Sequence, residues 1–249
     1  MTSGIETSVE KNVGYIRLNR PDQHNAISKE MWLAIPQAMT TLKNAGARCI
    51  VVHGEGDDFS SGANTSEAAQ LKTYDEASHL WHAIRDSLHA VWSFDLPTIA
   101  MIHGVCFGGG CLLASACDLR VASDESMFAI PVAWLGLTLD DLTMMRLVTL
   151  VGQANAKKLL LTGDSINSAE AHRIGLINTV VPLSSLRSTA DGLARRITSN
   201  VPFSVASCKQ AINRIMCEQP LCPDDNDKEV VSAFISEAFQ DKVKRKRPT

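Results

Sequence analysis

Two segments carry residues able to do chemistry on an acyl carbonyl. In "GVCFGGGCLLASACDLR" (104–120) three glycines, Gly108–Gly110, run straight into an apolar, helix-like stretch. Glycine costs backbone entropy, so a triplet at a helix start implies that something comes close to that backbone. A second glycine loop, "FSSGAN" (59–64), follows an earlier buried strand. A strand, a glycine turn and a helix N-terminus aim backbone N–H groups and the positive end of a helix dipole at one point. Phosphate binding uses that arrangement, but neither G-x-G-x-x-G nor G-x-x-x-x-G-K-[ST] occurs, and the nucleophile elbow G-x-S-x-G is missing too. Two loops each offering one N–H make a two-donor oxyanion hole for a thioester or other acyl carbonyl. Glycines packed into a tight turn are the alternative reading of the same residues.

The elements that must hold these loops follow from periodicity. Residues 5–19 read as a β-hairpin, "IETSVE" and "GYIRLN" around "KNVG". Ser28 is placed to cap a helix running to about Lys43. "RCIVVHGEG", "PTIAMIHG", "DLRVAS" and "SMFAIPV" read as buried strands, and 75–93 as a helix with apolar residues at Leu80, Ile84, Leu88 and Val91. Beyond Leu142 the pattern is helical except for "NTVV", and "MMRLVTLVGQANAKKLLLTG" reads as helix, turn, helix. The expectation is a strand-rich α/β core over 1–195 and a helical region over 196–249, continuous with it because no low-complexity linker intervenes.

Composition narrows the function classes. The 249 residues are enough to bury a substantial core. A net charge of −3 leaves no basic excess to neutralise nucleic-acid phosphates. No apolar run approaches the roughly 20 residues of a membrane span, and the N-terminus shows no signal-peptide pattern, so the expected location is the cytoplasm. The seven cysteines form no C-x-x-C pair and read as buried thiols, with no metal site expected. His79 and His82, one turn apart near Glu76 and His89, lack the further ligands a metal needs and read as surface or partner-packing residues.

The succession "RPDQHNA", "FSSGAN", "PTIAMIHGVCFGGGCLLASACDLRVAS" and "FAIPVAWLGLTLD" resembles the crotonase (enoyl-CoA hydratase/isomerase) superfamily, and the likeness extends over essentially the whole chain. The resemblance implies a crotonase-like ββα spiral core, a C-terminal helical trimerisation region, assembly as a homotrimer or hexamer, and a coenzyme A thioester as substrate or ligand with no separate cofactor. It puts the hole's amides at Ala63, after Ser61-Gly62, and at Gly109, beside Gly108. His24 and Ala26 would border the CoA adenine and pantetheine. Lys246 would reach CoA phosphate from a neighbouring subunit, a solvated tail charge being the alternative.

The chain departs from that pattern where family hydratases carry two glutamates. Those positions hold Leu112 and Val132, whose side chains carry no proton, so the standard hydratase mechanism is not expected. The resemblance here is to actinobacterial paralogues that lack both glutamates. Asp140, eight residues beyond Val132, matches the position of a second acid in dienoyl-CoA isomerases and of the nucleophile in a dehalogenase branch. It is the remaining candidate acid/base, and capping of the helix "LTMMRLVTL" by Asp140 or Asp141 is the competing role. In an apolar pocket such a carboxylate is expected to have a raised pKa. Asn64, where the family commonly has Asp, is expected to bond the loop backbone, His53 to be structural, and Ser66, Glu67 and Tyr74 to line the acyl pocket. Two functions stay open: an acyl-CoA enzyme of the hydratase/isomerase group, and a non-catalytic acyl-CoA binding or carrier protein. A structural subunit with an empty pocket is a third.

Overall fold

The strands are β1 (Ile5–Glu10), β2 (Val13–Leu18), β3 (Cys49–Gly54), β4 (Thr98–Ile102), β5 (Val105–Phe107), β6 (Leu119–Ser123), β7 (Met127–Ala129), β8 (Ile166–Asn167) and β9 (Thr179–Val181). They come from a computed structural model that describes residues 4–216. The helices are α1 (Lys29–Asn44), α2 (Thr65–Ala68), α3 (Tyr74–Ser93), α4 (Gly109–Ala116), α5 (Asp141–Thr162), α6 (Ser168–Arg173), α7 (Leu183–Thr198) and α8 (Pro202–Met216). Six strands form one sheet in the order β1-β2-β3-β4-β6-β9, antiparallel only between β1 and β2. Three short strands form a second sheet, β5-β7-β8, which the sequence pattern does not resolve beyond part of β7.

Local signals act as their chemistry requires. The β1–β2 turn uses Lys11 and Asn12, both with positive φ, the geometry that matches strand twist in a two-residue hairpin. The second strand therefore resumes at Val13, one residue earlier than a turn over 11–14 would allow. Ser28 caps α1, its side chain accepting from the Met31 amide. Inside α5, Gly152 leaves the helical region with φ 76°, giving the break between two helical runs that the sequence pattern predicts.

The inner strands β2, β3, β4 and β6 of the large sheet are buried on both faces, and residue parity decides which side chain goes where. Val13, Tyr15, Cys49, Val51, Ile99, Met101 and Val121 pack on one face under Leu186, Ala190 and Ala194 of α7. Ile16, Leu18, Ile50, Val52, Ala100, Ile102 and Ala122 face the other way, into the main core with α1, α3, α4 and α5. Each fully buried aliphatic side chain contributes about 1.5–3 kcal/mol, so these two apolar layers stabilise the sheet from both sides. No described helix is long and apolar enough to cross a membrane.

Two cations taken into this interior have partners. Arg120 is buried, and its guanidinium donates to the carbonyls of Leu176 and Cys117 at 2.8 and 2.7 Å. Lys209 of α8 is also buried, and its Nζ reaches Asp118 Oδ2 at 2.8 Å and the Leu96 carbonyl at 2.9 Å. The same Asp118 oxygen accepts from the Thr98 amide and hydroxyl. A helix far along the chain is thereby tied to the start of β4 and the end of α4.

Two predictions follow from these buried groups. Lys209→Met leaves Asp118 without its cation and lowers unfolding stability by about 2 kcal/mol, read from a urea or guanidinium titration; an unchanged midpoint would show that the pair does not hold α8. Burial, aided by neighbouring arginines, holds His53 and His89 below the ordinary 6.5. Both are then neutral in the folded chain while the unfolded chain takes up protons first, so stability is complete above about pH 6.5 and falls as the pH drops below it. Replacing both with Gln should flatten the melting temperature between about pH 7.5 and 5.5.

Candidate functional site

The two glycine loops meet side by side. Residues 59–63 run like a short strand between Ile27 and β5, with isolated bridges pairing Ile27 with Ala63 and Ser60 with Cys106. The Ser60 amide donates to the Val105 carbonyl, and the Phe107 amide returns a bond to the Ser60 carbonyl, each at 2.9 Å. The Ile27 amide donates to the Gly62 carbonyl at 2.7 Å. The chain then turns at Gly108, whose φ of 48° and ψ of −120° suit glycine alone, and enters α4.

The glycine triplet has protein neighbours as well as an open front. A Cβ on Gly109 would lie 3.0 Å from the Ala63 nitrogen and 3.1 Å from Trp32 Cζ2. On Gly110 it would lie 2.6 Å from the Ser60 carbonyl oxygen, and on Gly62 2.8 Å from the Gly109 nitrogen. Tight packing, the plainer of the two readings of these glycines, is therefore true of Gly110. Gly62 and Gly109 do something more: their bare Cα atoms bring the Ala63 and Gly109 amides together. Among the described residues neither amide donates to any protein acceptor, whereas the flanking Ser61, Gly62, Asn64 and Gly108 amides all do. Two unspent donors thus sit at the N-terminus of an eight-residue helix whose dipole favours negative charge there.

Side chains fix the loops from behind. Ser60, fully buried, accepts from the Gly62 amide at 3.1 Å and donates to the Asn25 carbonyl at 2.8 Å. Asn64 does not bond the loop backbone through its side chain as expected; its backbone amide goes to the Ile27 carbonyl as the chain turns into α2, and Ser60 takes the bracing role instead. Buried Asn25 donates to the carbonyls of Glu55 and Asp58 and accepts from the Arg20 amide, fixing the 20–26 loop. His24 is exposed, its Nδ1 2.6 Å from Asp58 Oδ2, while its carbonyl accepts from the Ser61 amide. Ala26 is half-buried beside it. His24, Ala26, Ser61 and Gly62 are thus brought to one rim, with Gly108 and Gly109 opposite.

Leu112 is buried in the main core, one turn into α4, and Val132 packs partly exposed against that core. Asp140 is the N-cap of α5, its Oδ1 accepting from the Thr143 amide at 2.8 Å. Glu67 is taken up by the start of α1, where its carboxylate accepts from the Lys29 amide, and Tyr74 is almost fully exposed. Glu76 completes a capping box with Thr73 at the start of α3. His89 Nδ1 lies 3.2 Å from an Arg146 nitrogen, and that guanidinium stacks over Trp92 at 4.6 Å. His53 Nδ1 lies 3.0 Å from the Gly54 carbonyl within the sheet. Lys246 lies outside the described residues.

Trp32 and Asp58 carry roles that the sequence does not announce. Trp32 is wholly buried, and its indole N–H has no acceptor among the described residues, a condition that costs about 1–3 kcal/mol. Asp58 bridges His24 to the Val105 amide. The only sequence signal for either is a bulky aromatic on an apolar helix face and an acid after a glycine turn.

With these loops in place, comparison with known proteins is decisive for the family. Residues 8–245 match the enoyl-CoA hydratase/isomerase family. The chain belongs to this family. It is 34% identical to a short-chain-enoyl-CoA hydratase of Clostridium acetobutylicum, over 92% of this chain and 85% of that protein. It is 28% identical to a peroxisomal Delta(3,5)-Delta(2,4)-dienoyl-CoA isomerase of Arabidopsis thaliana, over 98% and 94%. Among solved structures, an enoyl-CoA hydratase/isomerase family protein from Hyphomonas neptunium superposes with a TM-score of 0.92 at 31% identity, covering 98% of this chain and 94% of that one. The crotonase resemblance and the α/β fold it implied are both borne out.

The position of Asp140 generates a prediction about stability. Asp140→Ala removes an N-cap and costs about 1 kcal/mol, while Asp140→Asn, an equally good cap, leaves the melting temperature nearly unchanged. Equal melting temperatures for both variants would show that the cap contributes nothing.

Proposed function

We propose that this chain binds a fatty acyl-CoA thioester with its carbonyl oxygen between the Ala63 and Gly109 amides. The observation that supports it is the pair of adjacent N–H groups without acceptors at the start of α4. A thioester oxygen gains negative charge on enolisation, and two fixed donors with a helix dipole behind them favour that charge. On this reading Gly62 and Gly108 allow the approach, and His24, Ala26 and Ser61 form the rim along which the CoA portion lies. Leu112 and Val132 take the places beside the acyl α- and β-carbons, and Lys246 supplies a cation to CoA phosphate. A homotrimer or hexamer in the cytoplasm belongs to the same reading, supported by exposed Phe203, Ile212 and Ile215 on α8.

Asp140 is then the candidate acid/base. Its engagement with the Thr143 amide favours a second reading, in which the chain holds acyl-CoA without turning it over. Asp140→Asn separates the two, because Asn keeps the cap and removes the titrating proton. Wild type and Asp140→Asn are assayed against enoyl-, dienoyl- and 3-hydroxyacyl-CoAs, with calorimetry on long-chain acyl-CoAs alongside. Turnover that falls by about 100-fold or more in the variant assigns the proton transfer to Asp140. Wild-type binding without turnover supports the carrier reading, and a wild type that neither binds nor turns over any thioester refutes the proposal.

A further inference from the structure

Trp32 lies on α1, outside every loop that forms the thioester cradle, yet its indole is the side chain packed against Gly109. The Gly109 Cβ position lies 3.1 Å from Trp32 Cζ2 and 3.0 Å from the Ala63 nitrogen, so indole edge, Gly109 Cα and Ala63 amide meet at one point. Nothing at that point is free to move: Trp32 is wholly buried, and the neighbouring Met31, Ile35 and Met39 of α1 are buried with it. The same edge of the indole carries Nε1, which has no acceptor among the described residues. A ring chosen only to fill space would do so without leaving a donor stranded. What the indole adds over a phenyl ring is reach, and that reach ends at Gly109.

From this contact we infer that Trp32 is a positioning residue for the two amides: it acts as a buttress behind Gly109 and sets the gap between the Gly109 and Ala63 N–H groups. It touches no part of the ligand. Shortening it lets the first turn of α4 settle back toward α1, and the two donors no longer converge on one oxygen. The rim formed by His24, Ala26 and Ser61 hangs from Asn25, Asp58 and Ser60 and is held independently of Trp32. Loss of the buttress therefore affects the carbonyl and spares the rest of the ligand. This inference rests on the thioester reading above.

The test compares two ligands that differ only at the carbonyl: octanoyl-CoA and S-octyl-CoA, the thioether with CH2 in place of C=O. Neither offers a double bond for hydration or isomerisation, so calorimetry reads binding alone. Wild type should prefer the thioester by about tenfold, the scale of two modest hydrogen bonds. In Trp32→Leu the preference should shrink to about twofold or less, with S-octyl-CoA affinity kept within about twofold of wild type. Trp32→Phe should fall between, and it decides the matter alone if the Leu variant does not fold. A full thioester preference in the variants overturns the inference while leaving the thioester reading intact. Equal loss of affinity for both ligands also overturns it, since Trp32 is then general core packing. A wild type that binds the two ligands equally removes the thioester reading itself, and the inference with it.

Discussion

The seam where residues 60–63 press against 107–110 is the constraint on which the rest of the site depends. Gly62, Gly109 and Gly110 each leave less than or about 3 Å between a would-be Cβ and a backbone atom of the other loop. At that separation the neighbour cannot yield, because it is main chain held by the β5 bonds to Ser60 and the Ile27 bond to Gly62. Two amides that the chain cannot satisfy internally are the consequence. An unpaired buried donor is normally a cost, but these two amides are half-buried at a helix start and retain access to a ligand or to water. The seam therefore fixes a donor pair in space before any ligand arrives, and preorganised donors act without paying reorganisation on binding.

Behind the seam, charged side chains are put to structural use. The buried cations Arg120 and Lys209 are bound to carbonyls and to Asp118 on the far side of α4. Glu67 and Glu76 serve helix starts, and Asp140 caps α5. Leu112 lies in the main apolar core, and Val132 packs against it. An apolar surround strengthens a hydrogen bond to a thioester oxygen, since the donors compete with less water. On the proposed reading, with Leu112 and Val132 beside the acyl carbons, it also leaves those two positions without a proton relay.

What was legible in the sequence was whatever depends on near neighbours. Alternation marked the N-terminal hairpin, short apolar runs marked the buried strands, Ser28 marked the start of α1, and Gly152 marked the break in α5, because each acts within a few residues. Glycines at 62 and 108–110 marked the two loops that meet, and the family's order of motifs pointed to the Ala63 and Gly109 amides that the structure brings together. The two roles left open for Asp140 could not be separated there, since an N-cap and an acid/base ask for the same residue type. Contacts across the fold left no local trace: Lys209 with Asp118, Trp32 with Gly109, and Ser60 in the bracing role expected of Asn64. Of the small β5-β7-β8 sheet only β7 was legible, because strands of two or three residues are too short to show a period.

The distinction between holding a thioester and transforming it comes down to where the binding energy is spent. Two amides that grip a carbonyl and its enolate equally well lower the dissociation constant and leave the barrier unchanged. They accelerate a reaction only if the oxygen gains charge in the transition state, and that requires a base to take the α-proton. In this fold the two amides are held by backbone at the seam, whereas on the proposed reading the base depends on one side chain, Asp140, at the start of α5. The two halves of the site are therefore mechanically separate: the first survives any change at Asp140, and the second adds nothing without the first. On the proposed reading, a chain of this family can lose or move its proton chemistry and still keep a place for the acyl carbonyl, because the two amides of that place are main-chain groups that need no titrating side chain to donate.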